Sequence, residues 1–122
     1  MRIKGIQALI IVAILANTPA LAQSDWQEIA HDSQANVTFY YSPSSVQRNG
    51  NFSTAKWHDS NHPELIFTAQ VDCSARTIQS LSVDVYETDG TFKETVNLAA
   101  NGSPQDVGPP GTFGSNLLQA IC

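Results

Sequence analysis

Positive charge is what this sequence has least of: six Lys and Arg stand against eleven Asp and Glu in 122 residues. Two of the six, Arg2 and Lys4, open the chain, and the others, Arg48, Lys56, Arg76 and Lys93, are scattered. Nucleic acid and anionic membranes both need a dense basic surface, so the composition argues against either as a partner. Cysteine is scarce too: Cys73 and Cys122 are the only two, and no C-x-x-C spacing occurs. There is no G-x-S-x-G turn to present a nucleophile. The one long apolar run covers residues 6–16, too short to span a bilayer comfortably.

That run lies between "MRIKG" and "NTPALAQ", where Ala20 and Ala22 stand in the small-x-small spacing that signal peptidase reads. The arrangement predicts a signal peptide at 1–22, cleaved after Ala22, and an exported chain with no stable membrane insertion. No cysteine follows the cleavage point, so the lipid anchor of a bacterial lipoprotein is not expected. The segment 23–122 is sized for a single domain with a modest core. It keeps four basic residues against eleven acidic ones, a net charge of −7. An acidic surface of this kind serves solubility.

Two cysteines in an exported chain suit an oxidising compartment. A Cys73–Cys122 bond would close a loop of about 50 residues, worth roughly 4 kcal/mol in the chain-entropy model. The competing roles are a free nucleophile and a metal thiolate, but Cys122 has no histidine near it in sequence. The expectation is a structural disulfide whose last residue pins a terminal helix to a sheet.

Apolar alternation points to strands. "WQEIA" reads as a short entry strand, and "NVTFYY" as a strand with Val37, Phe39 and Tyr41 on one face. Val46 is expected in a short strand that turns at Asn49-Gly50, a type I′ signal, and returns from Phe52 towards Trp57. After the loop "DSNHPE", the segment "ELIFTAQVDC" aligns Leu65, Phe67, Ala69, Val71 and Cys73 on one face. A second hairpin runs through Leu81, Val83 and Val85, turns at Asp89-Gly90 and returns through Phe92, Val96 and Leu98. Ile78 breaks its parity, which a bulge near Gln79 would repair. Residues 99–114 carry three of the six prolines and four glycines, too many for long regular structure. A helix is expected from Ser115 as N-cap to Cys122, with Leu118, Ile121 and Cys122 on one face. The fold class is therefore α+β, mainly β: an antiparallel sheet of about six strands with one short C-terminal helix tied by a disulfide.

Candidate sites are few. His58 and His62, with Asp59, have weak metal-site spacing, and together with His31 they read as ordinary loop histidines. Asp84, Glu87 and Asp89 lie along a hairpin where solvated carboxylates are normal, so no enzyme is expected. Tyr41 and Trp57 suit the core. Tyr40 and Tyr86 sit on the opposite parity from their apolar neighbours, which suits either an outward-facing binding or dimer surface or partial burial under the long Pro/Gly loop. Sequons at Asn36, Asn51 and Asn101 matter only in a eukaryotic secretory route.

Taken in order, "W..I", "YYSPSSVQRNGN", "KW", "VDCSARTIQSLSVDVYETDG" and "PPGTFGSNLLQAIC" resemble the surface-adhesin protein E family, over nearly all of 23–122. The resemblance implies a small antiparallel sheet, a C-terminal helix and a bond between the same two cysteines. It also implies an exported, non-enzymatic binding module in the periplasm or on the surface of a Gram-negative bacterium. Partners would be host matrix or serum proteins such as vitronectin and laminin, with the chain a monomer or weak homodimer. Haem binding goes with the family as well, although no cofactor is expected here. Tyr40, Tyr86 and Arg76 are the candidate binding residues. The sequence departs from the family pattern at 64–86, where the basic stretch tied to adhesion has shrunk to Arg76, outnumbered by acidic residues. The alternative is a periplasmic accessory or structural protein of the same fold with no adhesin role.

Overall fold

Two hairpin turns are built alike. In "DSQAN", the Asp32 carboxylate accepts the backbone N–H groups of Gln34 and Ala35 at 3.0 and 3.1 Å. In "DCSAR", Asp72 does the same for Ser74 and Ala75 at 3.0 and 2.9 Å. Each turn then closes on a left-handed residue, Asn36 at φ 53° and Arg76 at φ 59°. A short acidic side chain that caps its own turn fixes the loop length, and with it the register of the strands on either side. Asp32 then pairs with Val37, and Asp72 with Thr77.

The computed structural model describes residues 25–100 and 102–122. The expected signal peptide at 1–22 and the sequon at Asn101 lie outside them. The strands are β1 (Gln27–Asp32), β2 (Val37–Tyr41), β3 (Gln47–Asn49), β4 (Phe52–Asp59), β5 (Leu65–Asp72), β6 (Thr77–Tyr86), β7 (Phe92–Asn97) and β8 (Gln105–Asp106). A 3-10 turn, Pro43–Ser45, follows β2, and one helix, α1 (Phe113–Ile121), closes the chain. All pairings are antiparallel, and the six main strands run in the order β1-β2-β4-β5-β6-β7. β3 pairs with β4 and β8 with β6. The expected α+β, mainly antiparallel architecture is the one observed.

The helix covers one face. Ala55, Ala69 and Val71 from the sheet pack with Val107, Leu117, Leu118 and Ile121, flanked by Tyr41, Val46, Trp57, Ile78 and Phe113. Tyr41 and Trp57 thus join the core side as anticipated. Leu117, which the expected helix face left out, is fully buried. Three bonds fasten the end of α1. Cys73 and Cys122 are joined with their Cα atoms 5.8 Å apart. Ser53 Oγ donates to the Ile121 carbonyl at 2.8 Å, and Arg48 Nη1 to the Cys122 carbonyl at 2.7 Å.

Several local expectations shift. Val46 ends the 3-10 turn instead of lying in a strand, because Pro43 starts that turn. The β3–β4 hairpin loop is Gly50-Asn51 between paired Asn49 and Phe52, with φ positive only at Gly50. That is the type II′ pattern, not type I′. The β6 bulge falls at Leu81, between the pairs Thr68–Ser82 and Ala69–Ser80, not at Gln79. A second register shift in β7 turns Phe92 and Val96 to different faces, and both are exposed at the edge of the sheet.

The helix also starts earlier than expected, with Thr112 as N-cap. Thr112 Oγ1 donates to the Pro109 carbonyl at 2.7 Å, which folds the Pro/Gly segment into the first helical turn. Ser115 is buried inside the helix. Gly114 sits where any Cβ would collide with the Val107 carbonyl, so α1 can approach β8 only with glycine there. Gly114→Ala should therefore destabilise the fold by about 1–3 kcal/mol despite alanine's better helix propensity. Urea unfolding of the variant beside wild type checks this.

Candidate functional site

Strand parity gives the sheet two unlike faces. Residues of β4 and β5 alternate between the helix side (Ser53, Ala55, Trp57; Phe67, Ala69, Val71) and the opposite side (Lys56, His58; Ile66, Thr68, Gln70). Among the described residues no second layer covers that opposite side. Tyr40 pairs with His58 across β2 and β4, and the two rings stack with centroids 5.1 Å apart. Trp26, just ahead of β1, meets the His58 ring edge-on at 4.5 Å. The entry segment is held there by Asp25, whose carboxylate accepts from Ser42 Oγ at 2.7 Å and Ser44 Oγ at 2.8 Å. Those hydroxyls hold the Asp25 pKa below its usual value.

His58 is therefore not the loop histidine that its neighbourhood in sequence suggested. It is the penultimate residue of β4 and only 9% exposed. Burial lowers its pKa below 6.5, against the opposing pull of the Asp59 carbonyl, 3.2 Å from Nδ1, and of the Asp59 charge. His62 stays in the loop and contacts Asp59 Oδ1 at 3.2 Å. The signal for His58 was available: "KWH" continues the alternation of β4, which puts His58 on the side of Lys56.

The three candidate binding residues do not converge. Tyr40 is half-buried against His58 on the open side. Tyr86 ends β6 on the same side, half-buried, with its ring edge-on to Phe92 at 5.7 Å. Its hydroxyl pKa is raised by burial and by nearby Asp84. Two strands intervene between β2 and β6, so the two tyrosines stand roughly 15 Å apart. Arg76 lies at the other end of the ten-residue β6, roughly 30 Å from Tyr86. It is exposed, and its carbonyl accepts from Val107 N–H at 3.1 Å, anchoring the segment around β8. Between the tyrosines, Lys56 and Asp84 make a surface ion pair at 3.8 Å. Among the described residues, no group of three or more His, Cys, Asp or Glu is placed to hold a metal ion.

The helix side holds a different feature. A cleft of about 490 Å³ opens between β6, the 99–114 segment and the start of α1, with Trp57 and Phe113 in its wall. The indole of Trp57 stacks on Phe67 at 4.6 Å and meets Phe113 at the same distance. Its Nε1–H is buried and has no acceptor among the described residues. An interior N–H without an acceptor costs about 1–3 kcal/mol.

His58 gives a test by pH. Its folded pKa is depressed, so its contribution to stability is complete above pH 6.5 and declines as pH falls through the folded value. His58→Phe should keep the ring stacking and remove that decline. Chemical unfolding at pH 7.5 and pH 5 would show a smaller pH dependence in the variant than in wild type.

The chain matches no family model, no curated protein and no solved structure.

Proposed function

We propose that this chain is an exported, non-enzymatic binding module of the adhesin E type that meets a protein partner through the side of the sheet facing away from α1. One observation carries the reading. The helix and the 99–114 segment lie on one side, while Tyr40, Tyr86 and the 54% exposed Phe92 lie on the other. Aromatic side chains offer large contact area at low entropic cost, and partly exposed ones on a sheet suit a protein surface. Matrix or serum proteins such as vitronectin and laminin are the partners that the resemblance implies. The ionisable groups on this side include a surface ion pair, Lys56–Asp84, a buried histidine, His58, and Glu28 beside Tyr40 at the sheet edge, and this spread of groups along the strands suits a contact surface.

The Cys73–Cys122 bond suits an oxidising compartment, and no helix among the described residues is long and apolar enough to cross a membrane. The bond supports export to the periplasm or cell surface. The test has two parts. A tagged chain should be digested by protease on intact cells, and the purified chain should bind immobilised vitronectin or laminin. The double variant Tyr86→Ser, Phe92→Ser should weaken that binding at least tenfold with its melting transition retained. Protection until the outer membrane is permeabilised, with no binding to either protein, would favour the periplasmic accessory role instead.

A further inference from the structure

The open side of the sheet carries two aromatic groups, and they differ in what they leave for a partner. At one end His58 is buried between Tyr40 and Trp26, so those rings largely cover one another. At the other, Tyr86 meets Phe92 edge-on at 5.7 Å, and Phe92 is the most exposed large apolar side chain among the described residues.

Charge around the second pair is left over with one sign. Asp84 sits two residues before Tyr86 on the same side. Glu64 lies across from Tyr86, its carbonyl accepting the Tyr86 N–H at 2.9 Å. Glu87 and Asp89 are exposed in the turn that joins β6 to β7. Of the two lysines near these carboxylates, Lys56 is taken up by Asp84 at 3.8 Å. Lys93, Glu64, Glu87 and Asp89 form no ion pair among the described residues.

We propose that the Tyr86–Phe92 end of the open side docks an arginine-rich segment of the partner protein. This deepens the proposed function and rests on it. An exposed aromatic face attracts a cation, and a guanidinium stacks on a ring where an ammonium only points at it. Its fork of N–H groups reaches a carboxylate at the same time, and Glu64 and Glu87 stand nearest for that role. Asp89 accepts the Thr91 N–H at 2.9 Å and shapes the turn instead. An acidic segment would meet like charge here, so the surface also selects by repulsion. The acidic balance of the whole chain draws a basic partner in from a distance.

The probes are acetyl-Gly-Arg-Gly-Arg-Gly-Arg-Gly-amide and its lysine and glutamate counterparts, titrated into the ¹⁵N-labelled chain at about 0.15 M salt. With the arginine peptide, amide signals of 84–94 should move and saturate while those of 72–77, at the far end of β6, stay. The lysine peptide should bind at least threefold more weakly, and the glutamate peptide should not bind. The double variant Glu64→Gln, Glu87→Gln should weaken arginine-peptide binding about three- to tenfold. Phe92→Ser should weaken it about threefold. Glu94→Gln, which removes the same charge from the helix side of β7, should bind as wild type does. Absence of saturable binding, shifts centred on 72–77, equal affinity for the lysine peptide, or undiminished binding by the double carboxylate variant would each overturn the proposal. Its failure is distinct from failure of the binding-module reading. Vitronectin or laminin binding lost in Tyr86→Ser, Phe92→Ser but kept in Glu64→Gln, Glu87→Gln would leave the module standing and refute the arginine-rich partner.

Discussion

The last two residues hold the domain together. The Ile121 carbonyl accepts from the buried Ser53 hydroxyl, the Cys122 carbonyl accepts from Arg48, and the Cys122 sulfur is bonded to Cys73. The three partners come from β3, β4 and the β5–β6 turn. A nine-residue helix is too short to be stable alone in water. This one persists because its buried residues, Leu117, Leu118 and Ile121, have a sheet to rest on and its end cannot leave. The dependence runs both ways. Without α1, the small residues Ala55 and Ala69 and the buried Val71 would lose the larger side chains that cover them. Ala55 and Ala69, paired directly across β4 and β5, are what let the helix lie so close.

Fastening the helix to one side makes the sheet asymmetric. The helix side carries the core, and beside it the neutral cleft left where the 99–114 segment crosses β6 with little regular structure. The other side has no such cover, and its aromatic residues are shielded only by one another and by the entry segment around Trp26. His58 is the clearest product of this arrangement: a ring buried between Tyr40 and Trp26 on a face that also carries the buried Ile66 and the solvated Lys56–Asp84 pair. Two surfaces of different chemistry thus follow from one covalent bond that fixes the helix to one side of the sheet.

Much of this was legible because it depends on local period and on cysteine count. The alternation through "ELIFTAQVDC" placed Phe67, Ala69 and Val71 on the helix side correctly, and two cysteines left a single pairing within the chain. What escaped depended on contacts between distant segments. The start of α1 was placed at Ser115 because nothing local reveals that Gly114 must pass the Val107 carbonyl. Leu117 was readable too, because it lies four residues before Ile121 and so shares its helix face wherever the helix starts. The bulge was placed near Gln79 from the parity of Ile78, but at Leu81 the carbonyl accepts from the Leu98 and Ala99 N–H groups, just beyond β7, a long-range contact that local parity does not show. The repeated turns "DSQAN" and "DCSAR" carried a readable signal in their leading aspartates. His58 was read from its neighbour in the loop instead of from the strand it ends. Of the candidate site, the outward parity of Tyr40 and Tyr86 was readable. The cleft was not, because it is formed by residues from four separate segments.

The account rests on the C-terminal clamp, and the most direct test is equilibrium urea unfolding of the chain with its disulfide intact and after reduction. With the bonded positions 49 apart in sequence, the chain-entropy model gives a loss of about 4 kcal/mol on reduction. The account predicts a clear fall in the unfolding midpoint, with near-UV signals from the tryptophans lost in the same transition. Coincident midpoints for the oxidised and reduced chains would contradict it, because the helix would then be held by packing alone.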